Sequence, residues 1–317
     1  MAQDLPEDGQ ARGPRSLRVA AVQMVFDKAV DGNLAKIERA AQRAARLGAD
    51  AILFPECATT GYACDFGALV PARIDAALHA VSRMASELGV NLLVGSPVFR
   101  ERRLHNALLV FDRSGRLVHA YSKSQLTPAD RRWFWPGEDI SFFELEGVPA
   151  SAFICHERRY PELARIPAMA GARILFHPNA GMDTLAVSRR KRGGRDGMAV
   201  RAFENAVFYV FANSVGPQGS GLWSAGDSKI VHPDGRILRL ADNRSEAILV
   251  TDLDLRQSTG KYPRESLEHP RSLAVHWKRM LPDLLKRARR NDAWFTRRFP
   301  GTRRVGPGPG LRGSPGP

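Results

Sequence analysis

Ser16-Leu-Arg-Val-Ala-Ala-Val-Gln23 is a mostly apolar run of strand length. After a polar gap the period changes. From Asn33 to Leu47, residues Leu34, Ile37, Ala41, Ala44 and Leu47 make one apolar stripe, which predicts a helix. Asn33 is placed to cap that helix and Gly48 to stop it. Ala51-Ile-Leu-Phe54 reads as a short buried strand, and a second helix is expected from about Ile74 to Leu88, ended by Gly89. Asn91 to Gly95 is the next strand. Strand, helix, strand, helix, strand is the pattern of an α/β layered domain.

Further along, hairpins join the pattern. Asn106–Asp112 and Arg116–Ser122 flank Arg113-Ser-Gly115, and Phe142–Leu145 and Val148–Cys155 flank Glu146-Gly147. Tyr160-Pro161 opens a helix, with proline at its first turn. Ala172–Phe176 is a strand, Gly197–Asn205 a helix and Val207–Ala212 a strand. Asp227–Val231 and Ile237–Leu240 flank Pro233-Asp234-Gly235, and Ala247–Asp252 closes the series. Mixed βα units and hairpins imply a mixed sheet or two packed sheets. Leu267–Arg290 reads as helical, interrupted by Pro270 and Pro282.

Composition narrows the class. The 317 residues are 44% hydrophobic and 25% charged, which excludes a mainly disordered, collagenous or coiled-coil chain. Three cysteines exclude a disulfide scaffold and fit a reducing compartment. The longest apolar run, Ala206–Ala212, falls far short of the ~20 residues of a membrane span. The opening MAQDLPEDGQARGPRS lacks the apolar core of a secretory signal, so a cytoplasmic protein is expected. The net charge of +14 is uneven: residues 256–317 carry 15 Lys/Arg against four Asp/Glu. Residues 1–15 and the Gly/Pro-rich 301–317 read as disordered tails, and 256–300 as a basic, partly helical extension. Lys286, Arg287, Arg289 and Arg290 cluster there, the one feature that would suit nucleic acid, but no recognition motif accompanies them.

Three segments could carry chemistry. Glu56, in Phe54-Pro55-Glu56, follows the carboxyl end of a buried strand, where open α/β sheets place their sites. Alone it would ordinarily be an exposed loop carboxylate. Cys155, in Ser151-Ala-Phe-Ile-Cys155-His-Glu-Arg-Arg-Tyr-Pro-Glu162, ends an apolar strand just before a helix start. Backbone N–H groups at such a turn could hold an oxyanion and favour the thiolate. Cys57 and Cys64 better fit buried structural thiols. Lys123 ends a hairpin strand, where a lone lysine is ordinarily surface. No Cys/His spacing suggests a metal, and Gly193-Gly194 lies in a basic run rather than in a phosphate loop.

Taken in order, Phe54-Pro-Glu56, then Lys123, then Ile154-Cys155-His-Glu-Arg-Arg-Tyr-Pro-Glu162 resemble the nitrilase superfamily of carbon–nitrogen hydrolases. Val19-Ala-Ala-Val-Gln23, Thr60-Gly-Tyr62, His177-Pro-Asn179-Ala-Gly and Arg201-Ala-Phe-Glu204-Asn205 through Ala212-Asn213 add supporting matches, over about residues 16–255. The resemblance implies a four-layer α-β-β-α sandwich of two mixed β-sheets flanked by helices. It implies Glu56 as general base, Cys155 as nucleophile and Lys123 as oxyanion stabiliser beside the backbone N–H of His156, with no cofactor. Asn179 would support the substrate. The implied reaction is hydrolysis of an amide or N-carbamoyl bond through a cysteine thioester. Nitrile hydrolysis or acyl transfer would use the same triad. A homodimer or larger homo-oligomer is also implied.

One departure stands out. Members of this family commonly carry a second glutamate after the lysine, where this chain has Asp130 as the nearest counterpart, one methylene shorter. Asp130 is expected beside Lys123; if it does not serve, a catalytically inactive scaffold is the competing reading. Glu157 reads as a partner for nearby arginines. The run Ser188-Arg-Arg-Lys-Arg-Gly-Gly-Arg195 could recognise an anionic substrate group or simply be a solvated loop. Trp133, Trp135 and Trp223 could line a pocket or sit in the core.

Overall fold

The computed structural model describes residues 15–190, 197–219 and 221–290, with side chains through residue 286. The expected tails, residues 191–195 of the basic run, and the side chains of Arg287, Arg289 and Arg290 lie outside the described residues.

Strand β1 (Ser16–Gln23) leads to helix α1 (Val30–Arg46), β2 (Ala51–Leu53), α2 (Pro71–Leu88) and β3 (Asn91–Arg100). Helix α1 starts earlier than expected. Asn33 lies inside it and caps nothing; its side chain accepts from Asp27 N at 2.7 Å and donates to Asp27 O, tying the incoming loop to the helix. Helix α2 begins at Pro71, which supplies a preset φ where no backbone donor is needed, and ends at Gly89 in the left-handed region. Strands β4 (Arg103–Phe111) and β5 (Leu117–Ser122) form the first hairpin, β6 (Phe143–Leu145) and β7 (Val148–Ala152) the second.

The second half continues with α3 (Glu162–Met169), β8 (Ile174–Asn179), β9 (Met182–Thr184), α4 (Leu185–Arg190) and α5 (Met198–Asn205). It closes with β10 (Phe208–Asn213), β11 (Val215–Gly219), β12 (Leu222–Ala225), β13 (Lys229–Val231), β14 (Ile237–Leu240), β15 (Ala247–Asp254), α6 (Lys261–Glu265) and α7 (Arg271–Arg290).

These strands build two six-stranded mixed sheets, ordered β15-β1-β2-β3-β4-β5 and β14-β13-β10-β8-β7-β6. Each has a parallel centre, β1-β2-β3 in one and β7-β8-β10 in the other, flanked by antiparallel strands. A small sheet, β11-β12-β9, was not foreseen from the sequence; its strands are short and glycine-interrupted.

Alternation along the strands sorts the core into layers. Val19, Leu53, Leu93 and Val110 of the first sheet meet Ala150, Ile174, Phe176 and Val210 of the second. Their neighbours Ala20, Ile52, Leu92 and Val94 face outward, onto Ile37, Ala41, Ile74, Leu78 and Val81 of α1 and α2. On the far side Leu175, Tyr209 and Phe211 pack against Leu163 and Ala168 of α3 and Ala202 of α5. The result is the α-β-β-α sandwich. Central strands buried on both faces read as continuous apolar runs, which is why the sequence showed no clean alternation there. Fully burying each large aliphatic side chain contributes about 1.5–3 kcal/mol, so both apolar faces resist a slip of register.

Candidate active site

The carboxyl ends of β2, β5, β7 and β8 converge at one edge of the sandwich, around a cavity of about 290 Å³. Glu56, Lys123, Asp130, Cys155, His156 and Asn179, all singled out in the sequence, line it.

Glu56 arrives on the loop after β2. Phe54 N still donates to Leu93 O at 2.8 Å, so this loop leaves as an extension of the sheet. It then crosses Gly95 of β3 so closely that a methyl there would sit 2.3 Å from Pro55 O. The Glu56 carboxylate, 1% exposed, accepts from Lys123 Nζ at 2.8 Å and Asn106 Nδ2 at 2.7 Å through Oε1, and from Ala180 N at 3.0 Å through Oε2. Three other segments of chain, at Asn106, Lys123 and Ala180, therefore meet on one carboxylate. Its charge also acts on the Cys155 thiol, which lines the same cavity.

Lys123 follows β5, its N–H bonded to Asn106 O and its carbonyl to Gly137 N, both at 2.8 Å. The ammonium is buried between two acids, Glu56 at 2.8 Å and Asp130 Oδ2 at 2.9 Å. Burial works against the charged form, but the neighbouring charges, Glu56 foremost, outweigh it and raise the lysine above its usual range. Asp130 thus stands beside Lys123 as expected. Thr127 N donates to its Oδ2 at 2.8 Å, and Tyr62 donates its hydroxyl to Oδ1. Burial, then the charge of Glu56, push Asp130 up to about 7.

Cys155 opens a single 3-10 turn, Cys155–Arg159, with a left-handed backbone (φ 52°). Such a conformation costs a non-glycine residue energy and persists only where surroundings hold it. Here His177 holds it, with Nε2 3.0 Å from Cys155 O. A carbonyl only accepts, so Nε2 carries the proton. Nδ1 then accepts from the Tyr209 hydroxyl at 2.6 Å. Burial, then Arg158, keeps His177 well below the usual imidazole range, consistent with that neutral tautomer.

The thiol departs from expectation. Burial, then Glu56, push Cys155 up to about 12 against the opposing pull of Lys123. The resting sulfur is a thiol, not the thiolate that the turn and lysine suggested. The first bond within the turn runs from Glu157 N to Ile154 O at 3.1 Å, so the His156 amide lies ahead of it, at the end facing the cavity.

Glu157 also corrects the sequence reading. It is fully buried and pairs with no arginine among the described residues. It accepts from Ile154 N (2.7 Å), Ser124 N (2.7 Å), Gln125 N (3.0 Å) and the hydroxyls of Tyr121 and Ser124 (2.8 Å each). It clamps the loop after Lys123 to the turn of Cys155. Asn179 donates to Asn213 Oδ1 at 2.8 Å, and that same oxygen receives Gly181 N, shaping the loop whose Ala180 amide reaches Glu56. Sequence reasoning missed Asn106, His177 and Tyr209 as site residues, because each acts across strands distant in sequence.

Trp133 and Trp135 are exposed: one ring is 6.2 Å from Phe66, the other lies 4.0 Å beneath the Arg103 guanidinium. The basic run begins as helix, α4, with Ser188 buried and bonded to Trp223 O at 2.7 Å. Arg189 and Arg190 point outward, and the arginines that line the cavity are Arg158 and Arg159. No group of His, Cys, Asp and Glu that could hold a metal occurs among the described residues.

The chain belongs to the carbon–nitrogen hydrolase family, whose pattern matches residues 18–262. It is an amidase-like enzyme of that family, with relatives and structural neighbours that are amidases. A 2-oxoglutaramate amidase of Bacillus subtilis is 28% identical over 66% of this chain and 80% of its own length. An N-carbamoylputrescine amidase of Arabidopsis thaliana is 28% identical over 78% of this chain and 92% of its own. The solved amidase of Nesterenkonia sp. AN1, in complex with butyramide, superposes with a TM-score of 0.71 at 26% identity, covering 84% of this chain and 98% of that one.

Proposed function

We propose that the enzyme hydrolyses a small amide or N-carbamoyl compound through a thioester on Cys155, with Glu56 as general base and acid and Lys123 as oxyanion stabiliser. The observation that carries this reading is Glu56, one buried carboxylate that bonds Lys123 and lines the same cavity as the Cys155 thiol. A thiol near 12 is scarcely ionised at neutral pH, so its proton must leave as sulfur attacks. Glu56 receives that proton while the C–S bond forms and the carbonyl oxygen becomes an oxyanion. Lys123 and the His156 amide face the new charge. As the oxyanion collapses the C–N bond breaks, and Glu56 returns the proton to the departing nitrogen. Water then attacks the thioester, again losing a proton to Glu56, and the acid and free thiol are restored. Asp130 holds Lys123 in place.

The amide class is supported by the butyramide bound in the neighbouring structure and by relatives named for an oxoglutaramate and a carbamoylputrescine. The test is peptide mapping of enzyme quenched during turnover. An acyl mass on the peptide holding Cys155 is expected; adducts only at Cys57 or Cys64 contradict the assignment.

The reading extends to a cytoplasmic homo-oligomer. All three cysteines are free, and no described helix is long and apolar enough to cross a membrane. Exposed Val200 and Phe203 on α5, Tyr262 on α6, and Leu273, Val275 and Met280 on α7 support a covered face in the assembly.

A further inference from the structure

The hairpin of β3 and β4 closes in a two-residue turn. Arg100 pairs across it with Arg103, and the two turn residues, Glu101 (φ 51°) and Arg102 (φ 65°), both adopt the left-handed backbone. Such turns ordinarily carry Asn-Gly. Larger residues held there are strained, and strain of this kind gathers at working sites. The turn lifts Arg102 and Arg103 into solvent. Trp135 N donates to Leu104 O at 2.8 Å, which lays residues 131–135 against the base of the hairpin. That segment reads Arg131-Arg132-Trp133-Phe134-Trp135. Phe134 turns inward, edge-to-face with Phe66 at 4.7 Å. The two arginines and both tryptophans are exposed, the indoles by 43% and 50%. The Arg103 guanidinium lies over Trp135 at 4.0 Å. Arg102, Arg103, Arg131 and Arg132 pair with no carboxylate among the described residues. Burial, then Arg100, hold His105 on the strand leaving this hairpin below its usual range, as expected where positive charge gathers. None of these residues lines the catalytic cavity, although the segment starts directly after Asp130, which does.

Exposed indoles interleaved with unpaired arginines suit a partner that offers rings and negative charge together. A second copy of this chain does not: a two-fold contact would set these arginines against their own equivalents. An acidic polypeptide answers the arginines but leaves the indoles unused. A duplex keeps its bases stacked inside. A single strand brings a phosphate with every nucleotide and unpaired bases that stack on indoles and on guanidinium planes. We infer that the tip of the β3–β4 hairpin and residues 131–135 form a docking surface for single-stranded nucleic acid. Phosphates would meet Arg102, Arg131 and Arg132, and bases would stack on Trp133 and on the Trp135–Arg103 pair. The net charge of +14 draws such a polyanion in from a distance. No single stretch of sequence shows this surface, because its two halves lie on separate segments that only the fold joins.

RNA and DNA share this chemistry. The test reads the fluorescence anisotropy of labelled oligothymidylate and oligouridylate, each of about 20 nucleotides, against the full chain over a salt series. The expected result is binding at low salt that weakens steeply as salt rises and is tighter than for the same strand annealed to its complement. Trp135→Ala should weaken it about 5- to 150-fold, the loss of one stacked base, while Trp135→Phe, which keeps a ring, should retain most of it. Arg131→Gln combined with Arg132→Gln should flatten the plot of log affinity against log salt by about 1.4, at ~0.7 per phosphate contact. Circular dichroism melting checks that each variant is folded, and the arginine pair decides the matter should Trp135→Ala not fold. Binding of either strand with this dependence upholds the surface, and the tighter strand names the sugar. No binding at low salt, or binding unmoved by Trp135→Ala and by the arginine pair, overturns it. So does binding lost instead in Arg287→Gln combined with Arg289→Gln and Arg290→Gln. Displacement by polyglutamate as readily as by unlabelled strand also overturns it, since the partner would then be an acidic polypeptide.

Discussion

Asp130, standing where the resemblance implies a glutamate, is where two effects can be separated. Its carboxylate bonds Lys123, Thr127 N and Tyr62 together, so its loss should misplace the ammonium rather than empty the cavity. Asp130→Ala is expected to lower kcat about 10- to 100-fold with KM changed far less, because the lysine charge matters most against the oxyanion. Asp130→Glu should recover most of that; wild-type kinetics in Asp130→Ala would remove the residue from the account. A pH dependence follows from the same carboxylate, pushed up to about 7 by burial and then Glu56. Below that value a proton is held among the acids flanking Lys123, so kcat/KM should rise with pH through an apparent value near 7. Asp130→Asn should abolish or shift that limb, and an unchanged limb contradicts it. Stability runs the other way. A carboxylate raised above its unfolded value of about 3.9 takes up its proton preferentially when folded. Its favourable share is complete below about 4 and is lost as pH rises through 7, a trend that Asp130→Asn should flatten in denaturant titrations.

At the scale of elements, the site depends on one loop crossing one strand. A methyl at Gly95 would lie 2.3 Å from Pro55 O and 2.7 Å from Glu56 Cα, backbone atoms that no rotamer change can move. Gly95→Ala should cost about 1–3 kcal/mol by overpacking and lower kcat by displacing Glu56; a full-activity variant with an unchanged midpoint would disprove this. Much of the element pattern was legible beforehand. The βαβαβ opening, the hairpins at Arg113-Ser-Gly115 and Pro233-Asp234-Gly235, and the stops at Gly48 and Gly89 depend on local period and turn chemistry. What escaped was non-local. Asn33 resembles a cap, yet it serves Asp27 three residues before the helix begins. Glu157 sits next to two arginines in sequence, but the 3-10 turn swings it inward to five donors, four on residues 121–125 and one, Ile154 N, at the start of its own turn. The thiol was legible as a position but not as a protonation state, since burial and Glu56 come from elsewhere in the fold.

At the scale of the molecule, two sheets bring the ends of β2, β5, β7 and β8 to one edge, so the site exists only when both sheets pack. The exposed apolar residues of α5 to α7 lie outside that core, and the homo-oligomer proposed above would cover them. Light scattering should give a multiple of the 35.0 kDa chain mass, and Phe203→Glu should shift it toward the monomer; a monomer at micromolar concentration refutes the assembly. The central claim is that everything gathered at this edge serves one sulfur. It is tested most directly by ammonia release from Cys155→Ala, with a circular dichroism spectrum matching the wild type. Turnover below about 1% of wild type is expected, since losing covalent catalysis costs orders of magnitude. Turnover well above that, in a folded variant, would contradict the account.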